Sequence, residues 1–484
     1  MVIGGKLSSW DEEPISCRRE GRAFRWGVIG SLLFLAAVSS AGTGANSRPL
    51  RCITEAEEVV TRYTGANNGA GPLWCYGSTV IARRGLDVYV STIETGKDVP
   101  LLCNTRWQLW RRSAGKWRIE QSEKDFRQRE PCPIAVFENG SVFLSANPST
   151  EPPGVKYGRC RPIVLQFDAA KPGKPAKEHS PAWADGAHFT DHSYRGFAAD
   201  GAAGELLLLN IYAGTGEQYV SYCDGKGKWH QKGKIKFPIR SCYPQVALRG
   251  GAGHVMAIGD IVEPVEKWRT LKFEKLNRKW DYVFRRLFYT WTPNIKNADF
   301  SVPIEIDTVE ETCGHISNLD LYIDKAGAAH LLYLKRPHQY AFIRDKYFPG
   351  EDMTVQLEYV VVKAGKVVSR RALTETPSGS GGIEPSFGRF HISSDGGLYV
   401  IVSGTGGKGG ARAFRNYAGR IVASSAKIEF VRLDLEHPFR NFFTNTVRGG
   451  SAPSDTIDLF GIAEDNPNLR YARVRLESRA NPPR

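Results

Sequence analysis

A short apolar strand entered through a tight turn returns seven times along the chain, and this recurrence restricts the fold more than any other feature. The copies are GLDVYVS from Gly85, GSVFLSA from Gly140, GELLLLNI from Gly204, GHVMAIGD from Gly253, AAHLLYLK from Ala328, GLYVIVSG from Gly397 and DTIDLFGIA from Asp455. A second series, richer in aromatic and β-branched residues, follows them: TRWQLWRR, RPIVLQFD, EQYVSYCD, RRLFYTWT, VQLEYVVV, KIEFVRLD and LRYARVRL. Each unit offers a further strand ahead of the pair, and turns such as SAGKW and DGKGKW are hairpin signals. The pattern predicts an all-β chain folded as a β-propeller of about seven blades, each of about three to four antiparallel strands. Strands of a β-sandwich recur every ~8–12 residues without this larger unit. Little sequence follows the last copy, so the final blade is expected to borrow a strand from the N-terminal part of the mature chain.

Ahead of the repeats, residues 26–42 form the one long uncharged apolar run, and Arg18, Arg19, Arg22 and Arg25 precede it. This reads as a signal peptide over residues 1–45, cleaved after Ala41 or Ala45, or as an uncleaved N-terminal anchor. No other segment approaches the ~18–20 apolar residues that span a bilayer. Residues 46–484 are therefore expected to be one propeller domain, secreted or otherwise extracytoplasmic, for example periplasmic, with no membrane contact beyond such an anchor.

Of nine cysteines, Cys17 precedes the apolar run, and the remainder suit up to four disulfides in an exported chain. Cys132 with Cys160 and Cys223 with Cys242 are the candidate pairs. No CxxC spacing or Cys/His cluster occurs, so neither metal nor cofactor is expected. A formal net charge of +14 favours anionic partners. Export argues against nucleic acid and leaves an acidic polysaccharide or other glycan, met by a monomer.

The densest polar cluster opens blade 3, where His188, His192, Tyr194 and Arg195 crowd the start of a strand. Blade 4 opens with Arg240 and Tyr243, and blade 5 with His315. The innermost strand of a propeller blade begins beside the central channel, so these residues are expected to converge there. Insertions at 262–284 in blade 4 and 335–353 in blade 5 are expected on one rim, where loops shape a groove on a rigid frame. Their Trp268, Trp280, Tyr340 and Tyr347 are candidates for stacking on sugar faces.

The segment HSYRGFAADGAAGELLLL from His192, followed by CYPQVAL around Tyr243, resembles the BNR-repeat, sialidase-like propeller family. The likeness is nearest to the branch containing propeller-type polysaccharide lyases. Tyr212 stands where that branch has a second histidine and Gly259 where it has an arginine, and SSDGGLYV from Ser393 only echoes the family's Asp-box. The resemblance implies a secreted carbohydrate-active protein that cleaves a uronate-containing polysaccharide by β-elimination. In that chemistry a cation, Arg195 or Arg240, neutralises the uronate carboxylate. Tyr243 or His192 removes the acidified C5 proton, and the other protonates the leaving oxygen. His315 joins them as a catalytic candidate, while Tyr194, His188 and Trp268 join the arginines in holding substrate. Two other readings stand beside it. One is a sialidase-like hydrolase, for which Glu384 and Asp191 are the carboxylate candidates, and the other is a non-catalytic propeller binding glycans or proteins.

Overall fold

Each of the seven apolar copies becomes the second strand of its own four-stranded antiparallel sheet. The computed structural model describes residues 50–74, 77–277, 281–423, 425, 428–465 and 467–477, so the expected signal segment lies outside the described residues. The sheets follow one another as blades 1 (81–122), 2 (134–179), 3 (195–235), 4 (241–308), 5 (315–377), 6 (384–433) and 7 (439–477). Blade 7 is completed by Arg51–Arg62, which pairs antiparallel with Asn468–Glu477 from Arg51↔Glu477 to Arg62↔Asn468. The ring is thus closed by a strand from the N-terminal side.

Burial explains why the second strands were the visible ones. Glu205–Ile211 of blade 3 is buried at every position, whereas no residue of Lys116–Ser122, the fourth strand of blade 1, is buried. A second strand packs on a neighbouring blade through both faces and reads as an unbroken apolar run. Leu207, Leu209 and Val220 of blade 3 meet Val246, Val255 and Phe288 of blade 4. Equivalent clusters join every successive pair, including blade 7 to blade 1 through Phe460, Tyr471, Val88 and Val90. Area removed from water is worth about 25 cal/mol per Å², so these inter-blade layers are the main source of stability.

One strand differs from expectation. KIEFVRLD supplies the fourth strand of blade 6, Phe430–Leu433, and the third is Ala413–Arg420. That third strand carries a buried asparagine, Asn416, whose amide group binds Ser403 Oγ at 3.0 Å and the Phe439 carbonyl at 2.9 Å.

The channel is filled rather than open. Arg448, in the turn after the first strand of blade 7, is 4 % exposed. It donates to Asp320 Oδ1 at 2.9 Å, Gln245 Oε1 at 2.9 Å and the Gly77 carbonyl at 2.7 Å. A Cβ on Gly77 would stand 1.9 Å from the Pro244 carbonyl oxygen, so only glycine lets this segment pass blade 4.

Both insertions connect a second strand to a third and lie at the end of the ring where first strands begin. Their helices, Glu266–Leu276 and Ala341–Tyr347, meet in one cluster with Trp268, Leu271 and Ile343 buried. No helix among the described residues is long and apolar enough to cross a membrane.

The expected disulfides do not form. Cys132, Cys160, Cys223 and Cys242 are all free thiols. Cys132 packs in the core between blades 1 and 2. Cys223 ends the third strand of blade 3 and Cys242 stands near the start of blade 4, at opposite ends of the ring. Cys75 lies outside the described residues.

Candidate functional site

A bulge sets the centre of the site. The first strand of blade 4, Ser241–Arg249, slips register between Cys242 and Gln245, and Tyr243 sits in the slip with φ 51°. Pro244 offers no amide to the ladder, and a bulge re-aims the side chain it carries. A left-handed backbone is unfavourable for tyrosine and has to be held by its surroundings. Asn318 of blade 5 donates to the Tyr243 carbonyl at 2.7 Å.

Thus placed, the Tyr243 ring lies 4.8 Å from that of Tyr194, 6.0 Å from Trp74 and 5.9 Å from Phe284. Phe284 in turn meets the His315 ring at 5.8 Å. Three of the candidates, from blades 3, 4 and 5, therefore share one aromatic run at the end of the ring where first strands begin. Burial pushes the Tyr194 hydroxyl up to about 12 and the Tyr243 hydroxyl well above its ordinary value. The two tyrosines raise and lower one another through neighbouring hydroxyls, and the Arg129 guanidinium lies close enough to Tyr194 to pull its hydroxyl downward against the effect of burial.

Arg129 and Glu130, just ahead of the first strand of blade 2, were not singled out from sequence. Arg129 donates to Glu130 Oε1 at 3.1 Å and to the Asp191 carbonyl at 3.2 Å. Burial raises the Glu130 carboxyl to about 7, against the opposing pull of Arg129 and Arg195. The signal was positional: QREPCP precedes blade 2 as DHSYR precedes blade 3.

His192 is attached to Arg129 through Asp191. Its carboxylate accepts the imidazole Nδ1 through Oδ1 and the Tyr157 amide through Oδ2 at 2.9 Å. The Tyr157 ring stacks on the imidazole at 4.4 Å and 21°. The Asp191 side chain is 1 % exposed and that of His192 22 %. Assigning the proton to Nδ1, opposite the carboxylate, leaves Nε2 as an acceptor, the arrangement a general base needs.

Other candidates are engaged elsewhere. Arg195 is 5 % exposed and donates to the Pro131 carbonyl at 2.8 Å, so it braces blade 2 instead of facing substrate. Arg240 is paired with Asp260 and donates to its carbonyl at 3.0 Å. His188 is exposed but turned against Tyr212, ring to ring at 5.4 Å. Trp268 is 5 % exposed beneath the Arg285 guanidinium, 5.1 Å from the ring, so it serves the insertion and not a sugar. Tyr347 donates to the Lys267 carbonyl at 3.3 Å, and Tyr340 stacks on Phe342. Trp280 lies outside the described residues.

His315 bonds Ser317 Oγ at 3.2 Å, and burial, with Arg336 and Arg285, lowers its imidazole to about 4, leaving it neutral near pH 7. Tyr243 does not acquire the lowered pKa that a base requires, because burial and the neighbouring Tyr194, Cys242 and Asp260 all raise it. Glu384 binds Arg412 at 2.8 Å in blade 6 and does not face Asp191 as a hydrolytic partner. Among the described residues, no three His, Cys, Asp or Glu side chains gather to hold a metal ion.

No protein-family model and no curated protein matches the sequence. Among solved structures, the chain is similar to the polysaccharide lyase Uly1 at 10 % identity over 82 % of this chain and 89 % of that one, with a TM-score of 0.49. It is similar to the α-L-arabinofuranosidase of Fusarium graminearum at 12 % identity over 70 % and 92 %, with a TM-score of 0.38. Similarity to the Trypanosoma rangeli sialidase is 11 % identity over 71 % and 54 %, with a TM-score of 0.37. Likenesses this distant assign no role to any side chain.

Proposed function

We propose that the protein is an exported carbohydrate-active propeller that cleaves a uronate-containing polysaccharide by β-elimination. The observation that carries this reading is that Arg129, which donates to the Asp191 carbonyl and lies beside Tyr194, places the Asp191–His192 pair next to the Tyr194–Tyr243 ring pair. The Arg-flanked apolar run at residues 26–42 supports export.

In the reaction, His192 Nε2 takes the C5 proton of a uronate. The C4=C5 double bond forms as the C4–O bond breaks, and the leaving oxygen takes a proton from the Tyr243 hydroxyl. After the product leaves, solvent carries the proton held by His192 away and returns one to Tyr243, which restores both groups. The raised tyrosine pKa values keep both hydroxyls protonated across neutral pH. Arg129 supplies fixed positive charge behind them, which favours the charge that develops on the uronate carboxylate. Acid and base roles of this kind are each worth roughly 10²–10⁴ in rate. Incubation with a panel of uronate polysaccharides, followed by the ultraviolet absorbance of unsaturated ends, tests the reading. Growth of that absorbance supports it, and its absence on every polymer removes it.

The engagement of both Arg195 and Arg240 favours a second reading, a propeller that binds the polysaccharide without cleaving it. Saturable binding with no unsaturated product separates the two.

A further inference from the structure

Two cavities, about 660 Å³ and about 280 Å³, flank the 224–228 turn of blade 3, at the end of the ring opposite the aromatic run. The larger falls within the range of ligand pockets. Its wall carries Lys226, Lys232 and Lys296 with two carboxylates, Glu205 and Asp224. Both carboxylates are already in use. Glu205 holds Lys296 Nζ at 2.7 Å. Asp224 holds His230 Nε2 at 2.9 Å and caps the turn through the Lys226 and Lys228 amides, bonds that hold its carboxyl down near 2.

The lysines are not neutralised in the same way. Lys232 Nζ donates to the Lys296 carbonyl at 2.9 Å, which brings a second ammonium to the cavity. Among the described residues, neither Lys226 nor Lys232 has a carboxylate within 4.0 Å, and the same is true of Lys228 and Lys236 on the same segment and of Lys174 and Lys177 on blade 2. Lys177 lines the smaller cavity beside Trp229. The Trp229 indole N–H is buried there without a hydrogen-bond acceptor. Like charges gathered around a cavity are mutually repulsive until an anion enters, and an indole ring at the cavity wall suits the face of a sugar.

We infer that blades 2 and 3 carry a second, non-catalytic groove that binds an anionic polysaccharide across the 224–228 turn, with Trp229 and Lys177 on one side, Lys232 on the other and Lys226 between them. This rests on the acidic-polysaccharide reading above and adds a place where a long chain is held away from the cleavage site. Carboxylate and sulfate groups present the same chemistry to the lysines.

The test is calorimetric titration of the mature protein with polygalacturonate, dextran sulfate and neutral dextran at two salt concentrations, with phosphatidylserine vesicles as a fourth probe. The wild type is expected to bind one or both anionic polymers more weakly as salt rises, and neutral dextran not at all. Lys226→Ser/Lys232→Ser and, separately, Trp229→Ala are each expected to weaken polymer binding at least about tenfold, with circular dichroism unchanged. Lys171→Ser, whose amine is paired with Asp168, serves as the control and should bind as the wild type does. Equal affinity of wild type and both groove variants overturns the groove, as does binding to vesicles but to neither polymer. The readout is binding, so a protein without lyase turnover still tests it. Where turnover exists, the groove variants are expected to cleave a short oligouronate at the wild-type rate, and a parallel loss of that rate overturns the claim that the groove is non-catalytic.

Discussion

The imidazole of His192 is held by the carboxylate of Asp191, itself buried and fixed by the Tyr157 amide at 2.9 Å. If His192 is the base, His192→Ala should lower kcat by roughly 10²–10⁴ with KM little changed. Asp191→Asn should lower kcat by about 10² or more, because an amide no longer fixes the tautomer that leaves Nε2 bare. Steady-state kinetics with thermal melts of each variant check both, and an unchanged kcat in His192→Ala excludes it as base.

Arg195 has a structural outcome instead. Its guanidinium reaches the Pro131 carbonyl and lies near the buried Glu130 carboxyl. Arg195→Ala should cost about 1–3 kcal/mol of stability through the unpaired carbonyl and uncompensated acid. Urea unfolding should show the loss while KM of the folded protein stays near wild type. A selective rise in KM without destabilisation would return Arg195 to substrate binding.

Three buried histidines predict the pH dependence of stability. Burial lowers His254, His315 and His391 to about 4, from 6.5. Between those values the unfolded chain binds more protons than the folded one, so stability is lost as pH falls from 6.5 towards 4. Glu130 acts oppositely, because its carboxyl is raised from 4.5 to about 7 and its contribution is lost as pH rises through that window. Glu123 and Glu358 are raised like Glu130, and His179 and His330 are lowered like the three imidazoles, so with five groups against three the urea midpoint should fall on acidification from pH 6.5 to 4.5. A flat or rising midpoint contradicts the burial of the three imidazoles.

The neighbouring Cys103 thiol, together with burial, raises the Cys160 thiol far above its ordinary value. They belong to facing connections of blades 1 and 2, and Cys160 shares a bridge with Ser149 close to the Tyr157 stack. If the protein is exported, non-reducing peptide mapping should link Cys103 to Cys160, a crosslink worth about 2–4 kcal/mol. Alkylation of Cys103 without prior reduction would contradict the pairing.

The propeller was legible because second strands bury both faces and leave apolar runs that survive any change of turn. The third strand of blade 6 was not, since Arg415, Asn416 and Arg420 interrupt it and its polar interior is satisfied by blade 7. At the site, Tyr194, Tyr243 and His315 could be placed by their position at strand starts. Their electrostatics could not, because burial and not the neighbouring arginines decides the Tyr243 hydroxyl. Trp268 was misread as a sugar platform because the packing of one insertion on the other leaves no period in the sequence. Arg129 and Glu130 were hidden by looking like an ordinary charged turn before a proline.

The most direct measurement is the ultraviolet absorbance of unsaturated uronate ends released by the mature protein, compared between wild type and Tyr243→Phe at equal bound substrate. β-Elimination with Tyr243 as proton donor predicts steady growth for the wild type. For the variant it predicts a rate lower by roughly 10²–10⁴, with substrate affinity nearly intact. Equal rates in the two proteins, or no absorbance from the wild type despite saturable binding, would contradict it.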